Sequence, residues 1–136
     1  MKSEPIIIVA GEPNSVFLET FFKCIKKKKF KKPIILICSL KILKFHMNKL
    51  NFKKKIRFLD GLKTNFKYLD NKYINLINVE YNSKYSFKKI SKSSRSYIKK
   101  SFDIAFEIIK SGISKKLING PISKKNFLNK NYLGMT

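Results

Sequence analysis

The hydrophobic residues fall into short apolar runs separated by polar turns, and two of these runs are typical of buried strands. Ile6 to Ala10 is apolar throughout, and Pro33 introduces a second apolar run, Ile34 to Ser39. A strand that is covered on both faces of a parallel sheet has this uninterrupted pattern. Shorter segments predict three further strands: Lys55 to Asp60, Tyr73 to Val79 and Lys116 to Asn119.

The first helix is predicted directly after the turn Gly11 to Ser15, because apolar residues then recur at helical spacing. Ser15 is the expected N-cap, and Glu19 lies in the first turn, where a carboxylate faces the positive end of the helix dipole. Lys26 to Lys29 complement the negative end. The predicted apolar stripe comprises Val16, Phe17, Thr20, Phe21, Cys24 and Ile25.

Two further helices are predicted over Leu40 to Leu50 and Ser94 to Ser111. The second has the clearer pattern, with Lys99 and Asp103 four residues apart on its wet side and Gly112 at its end. Its apolar stripe comprises Tyr97, Ile98, Ser101, Phe102, Ala105, Phe106 and Ile109. The other segments are less regular: residues 62–72 have no clear pattern, Tyr81 to Ser91 is interpreted as a mobile loop, and Ile122 to Asn129 as one or two helical turns.

The element order β-α-β-α-β-β-α-β-α predicts an α/β fold, layered as α/β/α around a largely parallel sheet. Residues 1–136 show neither an internal repeat nor a linker between domains. They are therefore interpreted as a single α/β segment.

The composition favours a cytoplasmic protein with a packed core. Hydrophobic residues make up 43% of the chain, more than a disordered chain contains. The sequence shows no secretory signal and no apolar run long enough to span a bilayer, so no membrane partner is expected. Cys24 and Cys38 have the spacing of neither a redox pair nor a zinc site, and buried, reduced thiols are expected.

The net charge of +23 favours an anionic partner such as nucleic acid. Among the 31 basic residues, however, only Arg57 and Arg95 are arginines, and arginine dominates specific contacts with bases and phosphates. Lys, Asn, Ile, Phe and Tyr share A/T-rich codons, so genome composition is an alternative explanation. Phenylalanines are interleaved with two lysine runs, Lys26 to Lys32 and Lys53 to Arg57, and such a pattern can bind single-stranded nucleic acid. The alternative function is therefore that of a small basic module that binds nucleic acid non-specifically.

Two loops follow predicted strands and precede predicted helices, which is where open α/β sheets bind ligands. The first comprises Gly11, Glu12, Pro13, Asn14 and Ser15, and the second comprises Gly120, Pro121, Ile122, Ser123 and Lys124. Polar groups at a helix N-terminus suit an anion, but an ordinary βα turn has the same composition.

Established chemical motifs are missing from the sequence. It contains neither a dinucleotide-binding glycine motif nor a P-loop. His46 is the only histidine, so no catalytic triad can be proposed. We interpret it as a partly exposed structural residue, and we expect no metal site within this chain.

The two loops, taken in order, resemble the 4-hydroxythreonine-4-phosphate dehydrogenase family. Members open with a strand, a glycine-acid-proline turn and a helix with an early glutamate, which Ile6 to Pro13 and Glu19 match. Further on, family members have a long helix that ends at a glycine, which Ile104 to Gly112 match. A strand and a Gly-Pro turn follow, which Leu117 to Pro121 match, and Lys124 matches the lysine that comes soon after the turn. The family continues with Gly-His-Thr-Glu, where this chain ends Gly134-Met135-Thr136.

This resemblance implies an isocitrate/isopropylmalate dehydrogenase-like fold, truncated here to its N-terminal portion. It implies NAD-dependent oxidation of 4-phosphohydroxy-L-threonine in pyridoxal 5′-phosphate biosynthesis, by a homodimer that holds a divalent metal through three histidines. Those histidines and most of the nicotinamide-binding residues lie beyond the segment that this chain covers. The chain is therefore expected to have no catalytic residue of its own and to be inactive alone.

The resemblance also implies which residues of this chain meet the substrate. Thr136 retains the family hydroxyl, whereas Met135 stands where the family has a substrate-contacting histidine, and a thioether cannot donate a hydrogen bond. The expected cleft-lining residues are Gly11, Glu12, Pro13, Gly120, Pro121 and Lys124. A third hypothesis is that the chain is a degraded remnant without function, with an exposed sheet edge.

Overall fold

A computed structural model of the chain describes residues 4–81 and 92–122. Within these ranges lie five strands, three α-helices and two short 3₁₀ turns. The strands are β1 (Ile6–Val9), β2 (Ile34–Cys38), β3 (Ile56–Phe58), β4 (Ile74–Asn78) and β5 (Lys116–Asn119). The helices are α1 (Phe17–Lys27), α2 (Leu40–Lys49) and α3 (Lys92–Lys110), and the 3₁₀ turns are Gly61–Lys63 and Phe66–Tyr68.

The strands form one sheet in the order β3-β4-β2-β1-β5, and every pairing is parallel. The predicted α/β fold with a parallel sheet is thus confirmed. β2 is buried along its whole length, as its uninterrupted apolar sequence predicts. β3 lies at an edge of the sheet, where it pairs only with β4 and stays partly exposed, so its shorter and more polar sequence does not have to be buried.

The helices lie on both sides of the sheet. The connections that contain α1 and α2 cross the sheet in one direction, and the connection that contains α3 crosses it in the other. Because such connections are right-handed, α1 and α2 pack on one face and α3 on the opposite face. The residues described contain no helix that is both long and apolar enough to cross a membrane.

The face that α1 buries differs from the predicted stripe. Its buried residues are Leu18, Phe21 and Phe22, whereas Val16 is 64% exposed. Cys24 is also exposed, so the prediction of a buried thiol there was wrong, although Cys38 is fully buried. The reason is the orientation of the helix. The residues that face the sheet recur every three to four positions from Leu18, so Thr20 and Cys24 point toward solvent.

The stripe of α3 was predicted more closely. Tyr97, Ile98, Ser101 and Ala105 are buried as expected, but Phe106 is 49% exposed and Ile108 takes its place in the core. Lys99 and Asp103 form the expected ion pair, with Nζ and Oδ2 3.0 Å apart. Gly112 follows the helix with a φ of +85°. Most of the predicted loop from Tyr81 to Ser91 and of the helical turns from Ile122 to Asn129 lies outside the described residues.

Candidate functional site

The two predicted ligand loops lie side by side at the carboxyl edge of the sheet. β1 and β5 are neighbours in register, and Val9 pairs with Asn119 at the end of both strands. Because parallel strands leave their carboxyl ends at one edge, the segments that follow β1 and β5 emerge together. Strands far apart in the sequence thus bring Gly11 and Gly120 into contact.

Two backbone hydrogen bonds join these loops beyond the last strand pair. The Gly120 amide donates to the Val9 carbonyl at 2.7 Å, and the Glu12 amide donates to the Pro121 carbonyl at 2.8 Å. The Asn119 side-chain amide also donates to the Gly120 carbonyl at 2.8 Å. The position of each loop therefore depends on the other.

Both glycines are required by this close approach. A Cβ at Gly120 would overlap the Ala10 carbonyl oxygen and lie 2.8 Å from Cγ of Phe17. A Cβ at Gly11 would lie 2.5 Å from the Pro121 carbonyl oxygen, and the φ of Gly11 is +83°. Glycine is the residue that permits both the left-handed backbone and the short separation.

The first loop then closes in a tight turn. The Ser15 amide donates to the Glu12 carbonyl at 3.1 Å, with Pro13 at the second position, where its fixed φ favours such a turn. Ser15 is not the N-cap that was predicted, because α1 begins one residue later, with Val16 as its N-cap. The Ser15 hydroxyl still accepts a hydrogen bond from the Phe17 amide at 3.3 Å.

The structure brings together five of the predicted cleft residues: Gly11, Glu12, Pro13, Gly120 and Pro121. The Glu12 side chain is buried, with 6% of the residue exposed. Lys124, Met135 and Thr136 lie outside the described residues. The described part of the site therefore consists of the two loops, which hydrogen bonds hold in fixed positions relative to each other.

A group of charged side chains that the sequence did not reveal lies between α1 and α2, and one of them, His46, interacts with the backbone of Pro13 in the first loop. Glu19 of α1 meets α2, where its Oε1 lies 3.1 Å from Nζ of Lys49 and 3.5 Å from Nδ1 of His46. His46 is 6% exposed, so its interpretation as a partly exposed residue was wrong. A signal was available, because His46 follows Ile42 and Leu43 at the helical spacing of the α2 core face.

The pKa values within this group are shifted in ways that the contacts explain. Burial lowers the pKa of His46 below its ordinary value, although the Glu19 carboxylate opposes the shift. The hydrogen bond from Lys49 lowers the pKa of Glu19. The group therefore consists of a neutral imidazole beside a carboxylate-ammonium pair at neutral pH.

The neighbouring part of the carboxyl edge, between β2 and β4, is filled by protein groups. The Ser39 amide donates to the Tyr97 hydroxyl at 3.1 Å, and the Leu40 amide donates to the Asn78 side-chain oxygen at 2.8 Å. Burial raises the pKa of the Tyr97 hydroxyl and that of the Cys38 thiol, so both stay protonated. The Tyr97 hydroxyl and the Asn78 side chain therefore bind the amides at the start of α2 and are not free for chemistry.

The metal-binding histidines that the resemblance implies lie beyond this chain. In ranges 4–81 and 92–122, no three His, Cys, Asp or Glu side chains come close enough to hold an ion. His46 faces Glu19 and Lys49 instead, and an adjacent ammonium group disfavours a cation.

Comparison with known proteins gives matches to solved structures only. No family model matches the chain, and no curated protein matches it. A crystal structure of a 4-hydroxythreonine-4-phosphate dehydrogenase from Burkholderia phymatum is similar over 94% of this chain, with a TM-score of 0.75 and 17% identity. A 4-hydroxythreonine-4-phosphate dehydrogenase from Klebsiella pneumoniae is similar over 96% of the chain, with a TM-score of 0.75 and 13% identity.

The chain spans about two fifths of the length of these structures, namely 39% and 40%. At such low identity the likeness concerns the fold. The resemblance inferred from the two loops is thus confirmed at the level of the fold, and the fold found is that of proteins named as dehydrogenases.

Proposed function

We propose that this chain is the N-terminal portion of an NAD-dependent dehydrogenase that oxidises 4-phosphohydroxy-L-threonine in pyridoxal 5′-phosphate biosynthesis. The observation that supports this most directly is the interlocking of the Gly11 and Gly120 loops at the carboxyl edge of a parallel sheet. This is the edge at which such sheets bind their ligands. The two loops are also the segments that match the family in sequence.

In this proposal the interlocked loops form one wall of the substrate cleft. Gly11, Glu12, Pro13, Gly120 and Pro121 fix its shape. Lys124 supplies a cation for the phosphorylated substrate, and Thr136 supplies a hydroxyl. Met135 cannot make the hydrogen bond of the family histidine. The role of these residues is to bind and orient the substrate, and this chain contributes no catalytic residue.

The remaining chemistry belongs to groups outside the described residues. NAD would supply the acceptor for the hydride that leaves the carbon bearing the substrate hydroxyl, and a divalent metal would supply a Lewis acid that polarises this hydroxyl as it loses its proton. We expect the whole enzyme to be a cytoplasmic homodimer with three metal-binding histidines beyond Thr136. Residues 1–136 alone are expected to catalyse no reduction of NAD.

The coding sequence after Thr136 tests the assignment most simply. The proposal predicts a glutamate at the next position and widely separated histidines further on. A continuation that contains neither would contradict the assignment, whatever the fold of the first 136 residues.

Ligand binding by the chain itself tests the assigned site. We expect 4-phosphohydroxy-L-threonine to shift the backbone NMR signals of Gly11, Glu12 and Gly120 in the isotope-labelled chain. 4-Hydroxy-L-threonine, which lacks only the phosphate, is the matched control and should shift them less. If a saturating amount of the phosphorylated compound leaves these three signals unchanged, the loops are not its binding site.

A further inference from the structure

A concave surface lies at the opposite edge of the sheet, where the strands begin. It is a cavity of about 410 Å³ between the end of α1 and the first residues of β2 and β4. Ile34 and Ile74, which open these strands, form part of its floor. We call it the amino-edge cavity.

Side-chain amides hold the floor of this cavity in place. Asn71 accepts a hydrogen bond from the Ile34 amide at 2.8 Å and donates to the carbonyls of Phe30 and Lys32 at 3.0 and 2.8 Å. Asn75, which is 1% exposed, donates to the carbonyls of Ile34 and Asp70. The segments that enter β2 and β4 are therefore tied together, and the cavity is part of the folded framework.

The charge of the cavity is positive throughout its described lining. Five lysines line it and no acidic residue does; they are Lys26, Lys28, Lys29, Lys54 and Lys72. The nearby Asp70 is already engaged, because its Oδ1 accepts from the Lys72 amide at 3.0 Å and lies 4.0 Å from the Arg57 guanidinium. Its carboxylate therefore offsets the lysine charge only in part.

The same edge shows crowding of positive charge beyond the cavity itself. Lys116 lowers the pKa of Lys32, first through a hydrogen bond between the two side chains and then through charge repulsion, and the nearby Glu4 carboxylate opposes this shift only in part. An anion bound at this edge would relieve such repulsion. The lysines near the end of α1 do complement the helix dipole, but that end has only about half a unit of negative charge.

The walls between the lysines are apolar and aromatic. They comprise Phe21, Ile25, Phe30, Leu36, Tyr73 and the two isoleucines of the floor. Lys28 lies over the Phe30 ring at 5.6 Å, and Arg57 lies over the Tyr73 ring at 4.5 Å. A fitting ligand thus combines a negative group for the ammonium side chains with a flat or apolar group for the rings.

We propose that the amino-edge cavity binds a small organic phosphate of the nucleoside phosphate class. Its phosphates contact the lysines, and its base lies against the aromatic wall. The volume falls in the range of small-molecule sites, about 300–1,000 Å³. The cavity is separated from the Gly11 and Gly120 loops by the length of the strands, about 15 Å for five residues, so this site is distinct from the proposed substrate cleft.

Charge-matched variants test the proposal, with ATP as the probe and calorimetric titration of the 136-residue chain as the measurement. The double variant Lys54→Gln/Lys72→Gln removes two charges from the cavity. The control Lys41→Gln/Lys100→Gln removes two exposed charges elsewhere. We expect the cavity variant to weaken binding about tenfold or more and the control to change it less than about twofold.

A second pair of changes guards against misfolding of one variant. Lys26→Gln/Lys29→Gln, at the end of α1, should weaken ATP binding in the same way, while circular dichroism confirms an unchanged fold. Equal losses in cavity and control variants would overturn the proposal, because they would indicate diffuse attraction to a basic surface.

The two halves of the probe test the ligand class. Adenosine lacks the phosphates and inorganic tripolyphosphate lacks the base, and each should bind more weakly than ATP. If tripolyphosphate binds as tightly as ATP, the aromatic wall has no part in binding and the proposed class is wrong. NMR shifts confined to the Gly11 and Gly120 loops would also overturn it, without affecting the proposed dehydrogenase assignment.

Discussion

At the scale of single residues, Gly120 offers the sharpest test of the interlocked loops. Gly120→Ala places a methyl group against the Ala10 carbonyl and Phe17, so we expect a loss of about 3 kcal/mol in the free energy of unfolding. Gly61→Ala is the matched control. Its Cβ meets nothing within 4 Å, and only the φ of +52° opposes it, at a cost of about 1 kcal/mol. Urea denaturation compares them, and equal losses would mean that the loops have room to separate.

His46 gives a second prediction at this scale, which concerns pH. Because burial lowers its folded pKa, the unfolded state binds the proton first as the pH falls below 6.5. The free energy of unfolding should therefore decrease on acidification through this interval. His46→Gln, which cannot titrate there, should lose less stability between about pH 7.5 and about pH 5.5.

The titration of the neighbouring Glu19 does not affect the free energy of unfolding in this pH interval. Its pKa is lowered from 4.5, so its contribution is present above that value and is lost at more acid pH. Urea unfolding of both proteins at each pH supplies the comparison. If the variant and the parent protein lose equal stability, His46 is not the group responsible.

At the scale of elements, α3 is attached to the sheet by a buried hydrogen bond as well as by apolar packing. Tyr97→Phe keeps the ring but leaves the Ser39 amide at the end of β2 without its acceptor. We expect a loss of about 1–3 kcal/mol, the cost of an unsatisfied buried donor. Tyr68→Phe is the control, because Tyr68 is 69% exposed, and thermal unfolding of both variants gives the measurement.

The elements themselves were largely predictable, and their faces were less so. An apolar run such as Ile34 to Ser39 predicts a buried strand whichever way its side chains point. The face of a helix depends on where its first turn starts, and a shift of one residue rotates the predicted stripe by about 100°. This is why positions 16 and 24 were misplaced in α1 while α3, with a longer pattern, was nearly right.

At the scale of the whole molecule, the net charge of +23 acts on stability. Like charges on a compact chain repel one another more than on an expanded chain, so the folded state is destabilised at low ionic strength. We expect the melting temperature to rise with added sodium chloride between about 0.01 and 0.1 M, as the screening length falls from about 30 to about 10 Å. Differential scanning calorimetry measures the melting temperature at each salt concentration. A melting temperature that does not change with salt would show that the charges are already balanced by bound anions.

The candidate cleft could be predicted in part. Each loop was identifiable from its own glycine and proline, because turns have a local signature. Their mutual hydrogen bonds depend on β5 pairing with β1, an order that the sequence does not encode locally. The charge group of Glu19, His46 and Lys49 was missed for the same reason, since two separate helices bring it together. Contacts between distant segments require the topology.

The pairing of β5 with β1 also has a consequence in time. The Ser114 hydroxyl donates to the Pro5 carbonyl across 109 positions, and the Glu12 amide donates to Pro121 across a similar span. A ribosome adds about 5–20 residues per second, so one edge of the isoleucine-rich β1 waits roughly 5–20 seconds for its partner. During synthesis, β1 emerges first but pairs with β5 only after most of the chain has been made. The Gly11 and Gly120 loops can therefore interlock only when Pro121 has left the exit tunnel.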